Sequence, residues 1–206
     1  ARPTAPWNTM QDLLSHVQAN PNKVKQYLAG QGTVPFTMNA MISTLTKFDT
    51  IKVPFDGDGP AIAALQGGHV DIGFIASGAA IEHIKAGRLK ALGVVDNKPF
   101  QGISPVTDAP SLKGISKYLP WGSWYGVFVR KETPEDVKAK LVAAFKKAGE
   151  NPKYRDMMTS RGTTMLNISG AEAEQFIKRF QSTTAWLYQG AGAAKVDPGT
   201  LGIPKP

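Results

Sequence analysis

Cysteine is absent from the 206 residues. Disulfides, thiol nucleophiles and thiolate-held zinc are therefore excluded. Histidine is scarce: only His16, His69 and His83 occur, and no two of them stand at a metal-pair spacing. A metal site is not expected. No run approaches the ~18 apolar residues that a membrane-spanning helix needs, so direct membrane insertion is not expected either. Charged residues make up 19% of the chain and form no long like-charge block, which argues against a disordered charged tail. The nucleotide signatures are missing as well. Gly30-Gln31-Gly32 has Pro35 where the third glycine of the dinucleotide fingerprint would fall, and no Gly-Lys-Ser/Thr phosphate loop occurs. Gly-x-Ser-x-Gly, the nucleophile elbow, is absent too. The expectation is a protein without catalysis and without a cofactor.

What is present is a sizeable apolar fraction, 42%, and a basic balance of 24 Lys and Arg against 16 Asp and Glu. The basic residues are dispersed. Their densest group, Lys138, Lys140, Lys146 and Lys147, lies around the outside of one amphipathic helix and reads as a solvated face. Nucleic acid is not an expected partner. A net charge of +8 gives a weak field that helps to steer anions.

Along the chain, strands alternate with short helices. Val24–Ala29 reads as a strand, Gly30–Thr33 as a loop and Val34–Leu45 as a helix. Ile51–Phe55 is a second strand, Asp56–Gly59 its loop and Pro60–Gln66 its helix. Val70–Ile75 is a third, followed by the loop Ala76-Ser77-Gly78 and the helix Ala79–Ala86. Leu89–Val95 and Ser123–Val129 read as further strands, the latter aromatic at Trp124, Tyr125 and Phe128. Alternation of this kind implies βαβ crossovers and a parallel sheet. A helix precedes these units, with Thr9 as its cap and Asp12 three residues on. After Asp96–Gly122, rich in proline and glycine, the chain turns helical. Thr133-Pro134-Glu135-Asp136 reads as a helix start whose apolar face is Val137, Leu141, Ala144 and Phe145. Asn151-Pro152 opens another helix, and Ser169 with Glu172 a third.

Open α/β sheets bind ligands beyond the carboxyl ends of their strands. Three loops fall at such ends, and each leads into a helix whose first N–H groups suit a carboxylate or phosphate. Gly30, Gly32, Gly57, Gly59 and Gly78 let the backbone approach a ligand, and Thr33 and Ser77 add hydroxyls. Turn-forming is the competing account of these glycines. Asp71 is a carboxylate in an apolar strand and needs a partner; bracing of a loop is its expected role. Trp121, Trp124 and Tyr125 read either as core packing or as a stacking wall beside a cleft.

Three stretches carry a family resemblance. They are Val53-Pro54-Phe55-Asp56-Gly57-Asp58-Gly59-Pro60-Ala61, Leu65-Gln66-Gly67-Gly68-His69-Val70-Asp71, and His83-Ile84-Lys85-Ala86-Gly87-Arg88-Leu89-Lys90-Ala91-Leu92. With Asp108-Ala109-Pro110-Ser111, Trp124-Tyr125-Gly126-Val127-Phe128 and Thr133-Pro134, the chain resembles the Bug family, the receptors of tripartite tricarboxylate transporters. The resemblance runs in order from Arg2-Pro3 to about Leu187.

The resemblance implies an α/β, periplasmic binding protein-like fold of the type II, Venus-flytrap kind, a periplasmic location, no catalysis and a small carboxylate as ligand. The implied partners are the membrane components of the transporter. It implies a complete ligand-binding lobe over residues 4–122 and the C-terminal part of the other lobe over 123–206, whose N-terminal half is missing. The ligand loop would be Gly30 to Pro35, with contacts from Gly30, Gln31, Gly32, Thr33 and Val34. A second loop maps to Ala76, Ser77 and Gly78, where family members often carry Asp or Asn at the positions of Ile75 and Ala76. Trp124 and Tyr125 complete the expected ligand-binding set, with Asp71 and Gly57 as braces. Two other readings stay open: the ligand-sensing domain of a transcription regulator, and a shortened receptor with a role outside transport.

Overall fold

The first helix, α1 (Met10–Ala19), is set by its cap. Thr9 Oγ1 accepts from Asp12 N–H at 3.1 Å, and Asp12 Oδ2 accepts from Thr9 N–H at 3.0 Å. The N–H groups of Asn8 and Thr9 and the Thr9 hydroxyl stabilise the charged form and hold the Asp12 carboxyl below its usual range. Met10, Leu13, Leu14 and Val17 recur at helical spacing and are buried. The computed structural model describes residues 1–206.

Three parallel strands follow: β1 (Lys25–Leu28), β2 (Ile51–Pro54) and β3 (Ile72–Gly73), side by side in the order β2-β1-β3. Lys25 stands opposite Ile51 and Leu28 opposite Pro54; Gln26 stands opposite Ile72. Each strand runs into a helix: α2 (Val34–Ser43), α3 (Asp58–Gln66) and α4 (Ser77–Lys85). Parallel strands need such crossovers, because a hairpin cannot join them.

The chain divides into two compact units, the first being Ala1–Gly122 with Phe180–Pro206 and the second Ser123–Arg179. The first holds two apolar clusters. One gathers α1 and α2 around Leu14, Met41 and Ile42, with Leu112 and Ile115 from the 3-10 helix Pro110–Tyr118. The other joins Ile62 and Leu65 to Val70, Ala80 and Leu89. A polar group sits inside as well. Gln26 is fully buried, and its side-chain oxygen accepts from Thr50 Oγ1 and, at 2.8 Å, from Lys52 Nζ. Burial lowers the Lys52 ammonium to about 8.

The second unit contains α5 (Glu135–Gly149), α6 (Pro152–Ser160) and the start of α7 (Gly170–Gly190). Asn151 caps α6, accepting from Tyr154 N–H, with Pro152 in the first turn.

Ser123–Val129 forms no ladder with any strand, and Tyr125 is 87% exposed. Its β-forming residues have no neighbouring strand to pair with, and an unpaired strand is not stable. Leu89–Val95 is not a strand either. Its pairings are isolated: Lys90 N–H donates to Ala1 O, and Val94 forms a single bridge to Pro105. Thr133 makes no cap for α5, which begins at Glu135 behind Pro134. The apolar face of that helix is open: Val137 is 38% and Phe145 51% exposed. Helix α3 starts two residues before Pro60, at Asp58.

Candidate functional site

The register places the carboxyl ends of all three strands along one edge of the sheet. Leu28 leads into Gly30–Thr33, Pro54 into Phe55–Gly57, and Gly73 into Phe74–Ala76. The structure thus brings Gly30 to Val34, Gly57, and Ala76 to Gly78 onto the same edge of the first unit. Trp124 and Tyr125 belong to the second unit. There Trp124 packs edge-on against Phe128 and Phe176, with ring centroids at 6.0 and 5.9 Å.

At the start of α2, Thr33 is the cap. Its hydroxyl donates to Gly30 O at 2.7 Å and accepts from Phe36 N–H at 3.4 Å, so it is spent on holding the loop. Gly32 has φ +92 and nothing within 4 Å of where a Cβ would be. The N–H groups of Gly32 and Val34 find no acceptor within the chain. The Gln31 side-chain amide donates to Ala193 O at 2.7 Å.

Helix α4 has no side-chain cap. The N–H groups of Ser77 and Gly78 make no bond within the chain, and neither does the half-buried Ser77 hydroxyl. Ala76 N–H, in contrast, is taken by Asp58 Oδ2 at 3.1 Å. The other Asp58 oxygen lies 3.4 Å from the hydroxyl of buried Tyr27. Burial, helped by the nearby Asp58 charge, raises the Tyr27 pKa. Asp58 therefore ties the loop after β2 to the loop after β3. Sequence patterning assigns it no such role. The available signal is an acid in the first turn of α3, which gives no hint of a contact 18 residues away. Gly57, with φ +104, makes the turn that delivers Asp58.

Asp71 stands at the opposite edge of the sheet, just before β3. Its carboxylate accepts from Lys25 N–H at 2.9 Å and pairs with Arg2 Nε at 2.9 Å. It fastens the amino ends of β1 and β3 and does not face the three loops.

No group of three or more His, Asp or Glu is gathered so as to hold a metal. No helix is long and apolar enough to cross a membrane. A shallow surface depression lined by Ala144, Lys147 and Asn151 lies on the second unit. It has none of the loop-and-helix-start geometry, and we place no site there.

A parallel sheet whose strand-end loops lead into helix starts with unspent N–H groups is a ligand-binding architecture. Solved structures agree on the fold. The periplasmic binding protein BugD superposes with a TM-score of 0.76 at 25% identity, covering 94% of this chain and 64% of BugD. Rpa4515 from R. palustris, solved with adipate, gives a TM-score of 0.78 at 16% identity, covering 92% and 62%. MatC from Rhodopseudomonas palustris, solved with bound malate, gives 0.74 at 24%, covering 93% and 64%. The family model described as "Tripartite tricarboxylate transporter family receptor" matches residues 1–189. The chain belongs to that family. A UPF0065 protein of Bordetella pertussis is 26% identical over 178 residues, 86% of this chain and 54% of the relative. Another, from the tcbD-tcbE intergenic region of a Pseudomonas strain, is 29% identical over 175 residues, covering 84% and 50%. The chain spans about half the length of these curated relatives.

Proposed function

We propose that this chain is the ligand-holding part of a periplasmic solute receptor that captures a small organic carboxylate for a tripartite tricarboxylate-type transporter. The observation that carries the reading is the pairing, on one sheet edge, of two helix starts with unspent N–H groups: Gly32 and Val34 at α2, Ser77 and Gly78 at α4. Such donors, backed by the positive end of a helix dipole, suit a carboxylate. Family membership supports the transport role, and the adipate and malate of two structural neighbours support the ligand class. The residues we assign to the ligand are Gly30, Gly32 and Val34, then Ser77 and Gly78, with Thr33 and Ala76 shaping the two loops. Gly57 is assigned as the brace of the loop after β2, while Asp71 braces the amino ends of β1 and β3, away from the loops.

The lobe division belongs to the same proposal: residues 4–122 form one lobe and 123–206 belong to the other, with Phe180–Pro206 reaching back to pack in the first compact unit.

A thermal-shift screen tests the ligand class. The panel is succinate, malate, citrate, glutamate, nicotinate and terephthalate, with NAD and ATP as controls. A ligand bound only by the folded state at 100 times its Kd adds ~2.7 kcal/mol and raises Tm. We expect one or more acids to do so, and the nucleotides not to. A shift with NAD or ATP alone would reject the carboxylate reading.

A further inference from the structure

The exposed loop Gly30–Thr33 is fastened from far along the chain. Gln31 Nε2 donates to Ala193 O at 2.7 Å, across 162 positions. One turn into α2, Thr37 Oγ1 lies 2.7 Å from the Tyr188 hydroxyl, and Phe36 meets the Tyr188 ring edge-on at 5.6 Å. Tyr188 also shapes the turn that presents Ala193: its carbonyl accepts from the N–H groups of both Ala193, at 2.9 Å, and Ala194, at 3.2 Å. Every one of these residues lies in the first unit. Apart from these ties the loop has only short-range bonds: from Thr33 N–H and Thr33 Oγ1 to Gly30 O, from Phe36 N–H to Thr33 Oγ1, and from the Thr37 N–H and hydroxyl to Thr33 O. Its glycines make no side-chain packing, since nothing approaches the Cβ positions of Gly30 or Gly32.

We infer that Tyr188 and Gln31 are positioning residues. They fix the Gly30–Thr33 loop so that the Gly32 and Val34 N–H groups point in one direction. The inference rests on the reading of that loop as a carboxylate site, and it moves Gln31 from ligand contact to loop support. A side-chain amide with its Nε2 bound to a backbone carbonyl at 2.7 Å is already engaged. The consequence for binding is pre-organisation: apparent affinity falls in proportion to the fraction of chains whose loop is binding-competent.

The test uses the full 206-residue chain with Tyr188→Phe, which keeps the ring and removes the hydroxyl, Gln31→Ala, and the two combined. Amide hydrogen exchange is read at Thr33 in the loop, at Phe36 in the first turn of α2 and at Tyr27 in β1, and malate affinity is measured in parallel. In the combined variant we expect exchange at Thr33 and Phe36 to quicken about ten-fold with Tyr27 unchanged. Malate should bind about ten-fold more weakly, with the loss in the association rate. Unchanged exchange at Thr33 and Phe36 would overturn the inference. So would an equal rise at Tyr27, because the effect would then be general loosening. Should Tyr188→Phe fail to fold, Gln31→Ala, at an exposed side chain, carries the same test. If the wild-type chain does not bind malate but local exchange still quickens, positioning stands and the carboxylate reading is what fails.

Discussion

The two units of this chain use similar proportions of apolar sequence to opposite effect. In the first, Leu14, Met41, Leu65, Leu112 and Leu187 are at most 1% exposed. In the second, no hydrophobic residue reaches the buried class, and ten of the chain's thirteen exposed large hydrophobics lie there. Tyr125, Val127 and Phe128 are each at least 66% exposed. The difference is one of partners. The first unit's strands find each other within about 50 residues, each with a helix to cover it. In the second, an aromatic β-forming stretch and an amphipathic α5 have no surface to close against. Apolar patterning specifies which face should be buried; it does not supply the covering element.

The comparison is sharpened most by matched truncations. Leu14→Ala, at a side chain with 0% exposure, should cost about 2–5 kcal/mol in a denaturant titration. Phe145→Ala, at 51% exposure, should cost under about 1 kcal/mol, since little contact is removed. Equal losses would mean that the second unit is buried in solution.

The next largest effect falls on the loop edge of the first unit. Gly32→Asp places a negative charge beside the α2 start, and carboxylate binding should fall about 100-fold or more, several kcal/mol by Coulomb repulsion at short range. Gly32→Ala separates charge from strain. With φ +92 it should lose stability of about 1–2 kcal/mol while retaining more affinity than the aspartate. Calorimetric titration with the acid found in the screen reads both.

The smallest effect is a pH dependence of the first unit's polar core. Burial holds Lys52 at about 8 against an ordinary 10.5. Between those values the unfolded chain binds more protons than the folded one, so stability should rise with pH from about 8. The raised Tyr27 acts with the opposite sign above about 10, which leaves pH 8 to 9.5 as the window. Lys52→Met should flatten the rise there; an unchanged slope would point to another group.

Local chemistry accounts for the parts of the fold that are legible in the sequence. Thr9 with Asp12, Asn151 with Pro152, and the three strand–loop–helix repeats are written in adjacent residues, and the structure contains them. Leu89–Val95 and Ser123–Val129 have the residue types of strands, but a strand exists only through its neighbour, and none pairs with them in a ladder. Thr133 has the right type for a cap, yet α5 begins one residue beyond Pro134. At the loop edge, the glycines and Ser77 are legible as helix-start chemistry. The Asp58–Ala76 and Gln31–Ala193 bonds are not, because tertiary contacts across 18 and 162 positions leave no local pattern.

On the proposed reading, the α2 and α4 starts of the first unit jointly hold a carboxylate. The most direct test is a titration of the 15N-labelled chain with the best acid of the panel, followed amide by amide. The account predicts that the largest shifts fall on Gly32, Val34, Ser77 and Gly78, and saturate with one affinity. Saturable shifts confined elsewhere, for instance around Lys147 and Asn151 on the second unit, with those four amides unmoved, would contradict it.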